Sequence, residues 1–589
     1  MNELLIPTNS QLDVVTYQIL IDGTEIPATT QVLTISITKE VNRIPTALLV
    51  IRDGDPASET FQESESAHFI PGKAIEIKAG HDGRNNTLFK GIIVRHAIKI
   101  RERQGSSLTI ECKDKSVKMT IGRKNKYFED VKDSDAIETI LGTYGLKGSI
   151  DATDVQHAEL VQHHVTDWDF MVMRAEVNGK IVIVEDGKVN LKAPRHETPV
   201  LSLNYGATLI EFEAEMDARH EWQEVKTSAW KYSTQELEEV EASRADFQEH
   251  GNLLGSQIAR DIAPPQYELR HSGQLNAAEA QAWTKAAMLK SRMAKIRGRA
   301  KFIGFSGIKP GKWVTLGGVG NRFNGDAYVS AVRHELRDGA WFTHAQFGMS
   351  PEWFAAKPQV YDFPTGGLIP PVNGLQIGKV VKLENDPLGE DRILIKLPTL
   401  DNEAQGIWAR VACLDAGNNR GSFFRPEVGD EVIVGFINDD PRDAVVLGHL
   451  NSQANPAPVQ SVKDTNHIKG FYTRSTMKIE FDDEKKIMTL KTPGGNSIVV
   501  SDDEKSITLQ DQNNNKITMN ASGIEISSPK DITIKATGKV NIKATQDAAL
   551  EGLNTNIKAS ANLSVQGQAG LSLSSSAVSQ LKGSIVQIN

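Results

Sequence analysis

The C-terminal stretch from Ile524 to Asn589 repeats an apolar pattern every eight residues. Ile524, Ile532 and Val540 stand at equal spacing, and the register later slips by one residue and continues. Within each unit the apolar residues lie two apart, so they point to the same side of an extended strand. Small and polar residues between the units suit corners and solvent. The pattern therefore predicts a repeat architecture of short strands.

A strand with one apolar face cannot bury that face by itself, and its unpaired edges invite aggregation. We expect copies of the chain to wrap around a common axis, so that strands of neighbouring chains pair and apolar side chains fill a narrow prism. Three chains give the smallest closed cross-section, and the pattern therefore predicts a homotrimer. The predicted trimer-core residues are Ile524, Ile526, Ile532, Ile534, Val540, Ile542, Leu550, Ile557, Leu563, Val565, Leu571, Leu573 and Leu581.

The composition of this region indicates a mechanical element. No Phe, Tyr or Trp follows Phe481, and no His follows His467. A thin prism has no room for rings, and a site built for chemistry usually needs some of those residues. The alternative is a disordered, low-complexity tail, but such tails do not keep Ile and Val in phase.

Length and charge limit what the whole chain can be. Its 589 residues allow three to five domains, and its net charge of -9 does not favour wholesale binding to nucleic acid or anionic membrane. Cys112 and Cys413 are far apart in sequence, which favours two thiols in a reducing compartment over a disulfide. The N-terminus shows no basic segment followed by an apolar core, so we expect synthesis in a bacterial cytoplasm without a signal peptide.

The remaining chain predicts a mainly β protein with some α. One-sided alternation over residues 12–130 indicates an antiparallel barrel or sandwich. Helices are predicted near 134–144, near 168–178 with Asp167 as cap, and over 277–296 with Asn276 and Glu279 as a capping box. A hairpin at 180–191 should turn at Asp186-Gly187.

The last turns of the longest predicted helix carry a basic cluster. It either contacts an acidic partner or is a solvated face that complements the helix dipole. Its members are Lys285, Lys290, Arg292, Lys295, Arg297 and Arg299.

Composition divides the chain into domains. Pro- and Gly-rich residues at 364–374 and Asn-, Pro- and Ser-rich residues within 451–475 read as linkers. Five short strands within 375–450 fit a small closed barrel of the OB type. The predicted order is a region of β-barrels with helices at 1–363, a linker at 364–374, the OB-type barrel at 375–450, a linker at 451–475, and a trimeric, intertwined β-helical needle at 476–589.

No motif predicts catalysis. His196-Glu197, His220-Glu221 and His334-Glu335 begin like a zinc-protease motif, but none has a second His four residues after the first. His163-His164 before Asp167 and Asp169 reads as polar surface rather than a ligand cluster. We therefore predict no catalytic residue, no cofactor and no metal site.

Three features resemble the VgrG family, the spike proteins of type VI secretion and related contractile injection systems, which in turn resemble phage tail hubs and central spikes. One is the segment from Thr166 to Gly179, with its Asp-Trp-Asp-Phe start and Arg-x-Glu-x-Asn-Gly end. Another is the order of motifs in the OB segment. The third is the eight-residue repeat. The OB motifs are Gly406–Ala412, Gly421–Phe436 and Asp440–Leu450.

The resemblance implies that residues 1–363 form a hub of tube-like β-barrels. It implies a structural spike that joins a hexameric inner tube protein to a PAAR-type tip protein and pierces the target envelope mechanically. It implies baseplate components as partners and tip- or tube-associated effectors as possible cargo. The particle would be assembled in the cell and then eject the spike outside it or into the target. The tip protein should bind Val586, Ile588 and Asn589. Because Leu450 leads to the needle within about 25 residues and the chain stops in the repeat, no lysozyme or effector domain is expected.

Two other functions remain as alternatives. A trimeric tail fibre or adhesin would share the prism but not the hub motifs. Binding of single-stranded nucleic acid by the OB-type barrel would need aromatic side chains interleaved with cations. Phe423, Phe424 and Arg425 are the only close set of that kind.

Overall fold

The computed structural model describes residues 14–102, 105–361, 363–400, 403, 405–460 and 463–588. These residues form two compact units. The first contains the chain up to Leu375 together with Gly435–Ala444, and the second contains Gln376–Val434 and the chain from Val445 onward. The prediction of no signal peptide concerns residues 1–13, which lie outside the described residues.

The first unit is dominated by one large sheet. Thirteen strands belong to it: β13-β17-β20-β19-β3-β4-β7-β6-β5-β1-β2 lie side by side, and β18 joins β12 to β19. Smaller sheets pair β8 with β9, β10 with β11, and β14 with both β15 and β16. The strands are β1 Val15–Ile21, β2 Thr24–Glu25, β3 Val32–Glu40, β4 Thr46–Arg52, β5 Ala74–His81, β6 Arg84–Arg101, β7 Gly105–Lys113, β8 Lys124–Lys132, β9 Gln156–Val165, β10 Ile181–Glu185, β11 Lys188–Lys192, β12 Leu201–Asn204, β13 Glu211–Met216, β14 Glu224–Lys231, β15 Glu236–Ala242, β16 Gln266–His271, β17 Ile296–Ile303, β18 Trp313–Gly317, β19 Gly325–Arg337 and β20 Ala340–Phe347.

The N-terminal strands each bury one side, as their alternation predicts. Ile19 on β1, Ile35 on β3 and Ile77 on β5 are all buried in one apolar core. Asp22 and Gly23 join β1 to β2 with φ angles of 49° and 85°, the left-handed conformation that tight hairpin turns require. A second core packs β12 and β17 to β20 together. The predicted mainly β fold is therefore confirmed for this unit, whose large sheet carries both of these apolar cores. We call this unit the hub as a label, and its role as a hub stays a prediction.

Four α-helices lie in the first unit among the described residues. α2 begins after Thr166, whose hydroxyl oxygen accepts a hydrogen bond from the Asp169 amide at 3.0 Å, so the cap is Thr166 and not the predicted Asp167. Asn276 caps α4 by accepting from the Ala278 amide at 2.9 Å, as predicted. The helices are α1 Asp133–Thr143, α2 Asp167–Val177, α3 Gly255–Ile258 and α4 Ala277–Ala294, and the 3-10 helices are Lys115–Thr120, Phe354–Ala356, Pro358–Val360, Pro364–Gly367 and Ile437–Asp439.

The predicted five-stranded barrel is confirmed. Its strands close in the order β21-β22-β23-β27-β26, around buried side chains such as Val380, Ile395 and Val434. A two-residue ladder, β24 with β25, stands in the connection between β23 and β26. The strands are β21 Gln376–Lys382, β22 Ile393–Lys396, β23 Ile407–Val411, β24 Ala416–Gly417, β25 Arg420–Gly421, β26 Glu431–Phe436 and β27 Ala444–His449.

A seven-stranded antiparallel sheet follows, which we call the needle sheet. Each strand pairs with the next along the chain. Its first strand lies inside the stretch 451–475 that the sequence suggests is a linker. Among the described residues, no helix has the length and apolar character needed to span a membrane. The strands are β28 Ile468–Tyr472, β29 Lys478–Asp482, β30 Ile487–Lys491, β31 Ser497–Ser501, β32 Ser506–Gln510, β33 Lys516–Asn520 and β34 Gly523–Ser527.

Candidate trimerisation surface

The needle sheet carries two apolar rows on one face, which we call the needle rows. The strand registers align each member with the next, for example Leu490 with Ile498 and Met488 with Val500. The pairing continues across every strand of the sheet because successive strands are in register and alternate residues share a face. The first row is Phe471, Ile479, Leu490, Ile498, Leu509, Ile517 and Ile526, and the second is Phe481, Met488, Val500, Ile507, Met519 and Ile524.

The needle rows are exposed in the single chain. Most members have more than a third of their surface open to solvent, and Val500, Ile517 and Met519 are half-buried. The face forms a groove of about 770 Å³. An apolar surface that is continuous over seven strands is far larger than scattered apolar residues on a monomer, and surfaces of that kind mark interaction sites.

The other face of the needle sheet is mostly polar and includes the half-buried Ile487 and Val499. Lys478 donates to Glu480 at 2.8 Å, and the Tyr472 hydroxyl donates to the same carboxylate at 2.9 Å. Partial burial and this hydrogen bond raise the pKa of Tyr472 to about 12. One face is therefore suited to solvent and the other to a protein partner.

The eight-residue repeat beyond the sheet is open to solvent in the single chain. Among the described residues after Ser527 no strand is formed, and every residue from Pro529 to Ile588 is exposed. The thirteen predicted trimer-core residues are 55% to 85% exposed. Of the predicted tip-binding residues, Val586 and Ile588 are exposed, and Asn589 lies outside the described residues. The assignment of these residues to a trimer core or a tip contact stays a prediction.

Sequence reasoning missed part of the needle sheet. Ile487 and Leu490 lie on opposite faces of the sheet, and Leu490 shares its face with Met488. Phe471 and Phe481 were likewise not predicted as members of the apolar face. The signal was present as two-residue spacing between Met488 and Leu490, and between Ile479 and Phe481, because residues at that spacing share a strand face.

The segment from Thr166 to Gly179, which resembles the family, contributes to a network of ion pairs around Arg174 that we call the hub node. Arg174 on α2 donates to both oxygens of Asp133, at 2.5 and 3.0 Å, and to Glu279 at 2.8 Å. His157 and Asn178 contact the same Asp133 carboxylate at 3.0 and 2.9 Å. Burial alone would raise the pKa of Asp133, but the hydrogen bonds and charge of Arg174 outweigh it and lower that pKa. The motif therefore ties α2 to α1 and α4.

The basic cluster at the end of α4 is partly buried. Arg292 is buried and donates to Glu221 at 2.7 Å. Lys295 is buried and donates to Glu249 at 2.8 Å and to the Leu253 carbonyl at 2.7 Å. Both expectations are wrong for these two residues, because each is buried against an acidic side chain of the same chain, whereas Lys285 and Arg299 are exposed. Sequence periodicity did not reveal this, since the acidic partners lie more than 40 residues away in the chain.

The side chains of the His-Glu pairs make hydrogen bonds and ion pairs within the chain. His196 lies 3.0 Å from Asp326, and Glu197 pairs with Lys312 at 2.7 Å. His334 is buried against the Thr343 hydroxyl at 3.1 Å. In the part of the chain that the structure describes, no group of three or more His, Cys, Asp or Glu side chains is arranged to hold a metal ion.

The residues near His163-His164 are likewise engaged. Asp167 accepts from the Tyr144 hydroxyl at 2.5 Å and from Gln162 at 2.8 Å. Burial and the Asp167 hydrogen bond raise the pKa of Tyr144 to about 12. Asp169 accepts from the Thr166 hydroxyl at 2.7 Å. These carboxylates fix the start of α2.

Three family models match successive parts of the chain. The Alg8 N-terminal domain matches residues 11–338, more than half of the chain. The type VI secretion system/phage-baseplate injector OB domain matches residues 376–450, the span of the barrel. The phage baseplate V C-terminal trimerisation domain matches residues 487–551, which hold most of the needle sheet and the first repeats.

Two relatives share parts of the sequence. The type VI secretion system spike protein VgrG1b of Pseudomonas aeruginosa is 25% identical over 405 residues, which cover 61% of this chain and 52% of that protein. The spike protein VgrG3 of Vibrio cholerae is 35% identical over 96 residues, 15% of this chain and 9% of that protein. The chain thus spans about half the length of the first relative and less of the second.

Solved structures of similar proteins include a 43 kDa tail protein of prophage MuSo2 from Shewanella oneidensis, with 10% identity and a TM-score of 0.44, covering 57% of this chain and 98% of that chain. A Francisella PdpA-VgrG complex has 10% identity and a TM-score of 0.38, covering 87% of this chain and 81% of that chain. By its sequence matches, the chain belongs to the Alg8 N-terminal domain family over more than half of its length, and it carries injector OB and trimerisation domains like those of VgrG-type and phage-baseplate spike proteins.

Proposed function

We propose that the protein is the homotrimeric spike of a contractile injection machine, and that its needle rows and eight-residue repeats form the shared core of the trimer. The observation that carries the proposal is the continuous apolar face of the needle sheet, exposed in a single chain within a segment that matches a trimerisation domain. Each Ile, Val or Leu buried there contributes about 1.5–3 kcal/mol gross. Three chains supply tens of kcal/mol gross before the cost of ordering the backbone.

The proposed action is mechanical. About eight repeats at roughly 4.7 Å per stacked strand give a rod on the order of 40 Å long. Strands hydrogen-bonded across chains make such a rod stiff along its axis. Sheath contraction would supply the work, and the rod would carry it to the target envelope without chemistry of its own.

The domain assignments complete the proposal. Residues 1–363 would dock on a hexameric inner tube protein, with 364–374 as a linker, and 375–450 would form a collar. Residues 451–475 would lead to the needle at 476–589, whose end would bind a PAAR-type tip protein. Baseplate components are proposed neighbours of the hub, and effectors carried by the tube or tip are proposed cargo. The protein would be made in the bacterial cytoplasm, built into the particle and ejected from the cell.

Solution mass tests the trimer. We expect the purified protein to have three times the 64.6 kDa mass of one chain, as measured by light scattering after size-exclusion chromatography. Dilution should not dissociate it, because the interface is long and apolar. A mass of one chain would contradict the proposal.

Truncation tests the tip contact. A chain that stops after Ser579 lacks Val586, Ile588 and Asn589 but retains most repeats. We expect it to remain trimeric and to lose binding to a purified PAAR-type protein, as measured by biolayer interferometry. The full-length chain is the control. Unchanged binding by the truncated trimer would remove the assignment of the tip site.

A further inference from the structure

The barrel carries exposed apolar side chains close to the needle sheet, which we call the collar patch: Leu414, Phe423 and Phe424. They are 90%, 77% and 59% exposed. Leu414 and Phe423 lie at the same end of the β24–β25 ladder, because the Ser422 amide donates to the Asp415 carbonyl at 2.8 Å. Two exposed phenyl rings beside an exposed Leu are unusual on a monomer surface.

The collar patch continues the first needle row. The Phe424 ring stacks on the Phe471 ring with centroids 5.5 Å apart and planes 17° from parallel. Phe471 is the first member of that row and faces Ile479 on the next strand. A protein that covers the row at Phe471 therefore meets Phe424 as the next apolar group.

The cations beside the collar patch are neutralised. Arg425 is paired with the Asp391 carboxylate and donates to the Asp391 carbonyl at 3.1 Å, while its guanidinium lies 5.3 Å from the Phe423 ring centroid. Arg420 pairs with Asp415 at 2.9 Å. Single-stranded nucleic acid needs aromatic faces together with cations that track its phosphates. The collar patch instead presents rings and a Leu side chain, which suit an apolar protein surface.

We propose that the collar patch is a second contact between copies of this chain, continuous with the needle rows. The proposal rests on the trimer proposed above, in which a second copy already covers Phe471. It gives the collar a mechanical role. Among the described residues between β27 and β28 no strand is formed, and within the chain the barrel meets the needle region through the Phe424–Phe471 stack and the pairing of Arg474 with Glu427 at 2.8 Å. Contact through Phe423 and Phe424 would fix each barrel to the neighbouring copy.

Hydrogen exchange on the full-length protein tests this inference. The variant is Phe423→Ser with Phe424→Ser, and the matched control is Leu388→Ser, which removes a 70% exposed apolar side chain elsewhere on the barrel. We expect both proteins to remain trimers by mass, because the needle rows are intact. Amides of residues 412–430 should exchange on the order of tenfold faster in the double variant than in the wild type, and those of 476–527 should not change.

The outcomes separate the two proposals. A wild-type protein of single-chain mass contradicts the trimer itself. A wild-type trimer whose residues 412–430 exchange as fast as those of the double variant keeps the trimer and overturns the collar contact, leaving the patch open to a different protein. The single variant Phe423→Ser keeps the ring stack within the chain, because that stack is made by Phe424 and Phe471. It should reproduce at least part of the faster exchange.

Discussion

The hub and the needle use the same residue types in opposite ways. Ile77 on a hub strand is 0% exposed, whereas Ile542 in the repeat is 85% exposed. Both belong to stretches in which apolar residues alternate with polar ones. The alternation identifies which side of a strand is apolar, but it does not say whether the cover comes from the same chain or from another.

Buried charge separates the two regions further. The hub holds ionised groups such as Asp133, Arg292 and Lys295 in its interior, each with partners from distant parts of the chain. The needle has no His after His467 and no Arg after Arg474. Buried ion pairs are sensitive to loss of one partner, whereas a prism of aliphatic side chains depends on area alone. The two regions should therefore fail under different perturbations.

The largest effect is expected from charge in the needle. Replacing Val540 and Ile542 together with Asp should leave expression intact and abolish trimers that resist SDS and heat, because six carboxylates would enter one apolar core. Electrophoresis without boiling and light scattering measure this. The matched control replaces Asn541 and Lys543 with Asp, on the opposite side of the same strand. Normal trimers from the Val540/Ile542 variant would remove the buried-prism assignment.

A smaller effect is expected from the hub node. Arg174→Met leaves the Asp133 carboxylate buried without its cation and should cost about 3–5 kcal/mol of unfolding free energy, with no change in trimer mass. Urea unfolding followed by Trp168 fluorescence measures the loss. Arg219→Met, which removes an exposed pair with Asp217, should change little. Equal effects from the two variants would mean that the node is not a stability determinant.

Low pH should lower the stability of the hub more than that of the needle. Burial lowers the pKa of His250 to about 4, with help from Lys295, and that of His334 to about 3, with help from Lys39. Below pH 6.5 these histidines bind protons in the unfolded chain but stay neutral in the folded hub, because their folded pKa values are lower. The free energy of unfolding of the hub therefore decreases as pH falls toward 4. We expect a loss on the order of 3 kcal/mol for each of the two histidines over that interval.

Unfolding monitored by hydrogen exchange at several pH values measures this loss for each region. The needle, which has no histidine, should show a much flatter dependence. His334→Gln removes one titrating ring and should flatten the hub profile while leaving the needle unaltered. A hub profile that stays steep in this variant would assign the acid sensitivity to other groups.

The smallest expected effect is a difference in thiol labelling within the native protein. Burial raises the pKa of the Cys112 thiol, whereas Cys413 on the barrel is exposed. A maleimide should therefore modify Cys413 in the native protein and both thiols only after unfolding, as counted by mass spectrometry. Rapid native labelling of Cys112 would show that the hub core opens more readily than its burial implies.

Much of the fold was accessible from sequence because its signals are local. Alternation predicted the hub strands, the hairpin at 180–191 and the five barrel strands, since periodicity two and turn residues act over a few positions. The cap of α2 was placed one residue late because Thr166 and Asp167 are both good caps. The buried ion pairs of Arg292 and Lys295 could not be predicted, because their partners are set by tertiary packing.

The candidate trimerisation surface was predicted in part for the same reason. The repeat shows its period directly in the sequence, and this period predicts the trimer-core residues beyond Ile524. The needle rows before it were only partly found, because turns of unequal length interrupt the spacing from one strand to the next. The collar patch depends on the stack of Phe424 on Phe471, which joins segments far apart in sequence.

The strands that pair within the chain end at Ser527, and the described residues after it form no strand. This boundary sets an order for assembly. Hairpins between consecutive strands close in microseconds at any protein concentration. Ordering of the repeats must wait for encounters between chains, so its rate should rise with concentration. In the proposed trimer, each newly made subunit would fold its needle sheet first, and the repeats of three chains would then become ordered together from Ser527 onward.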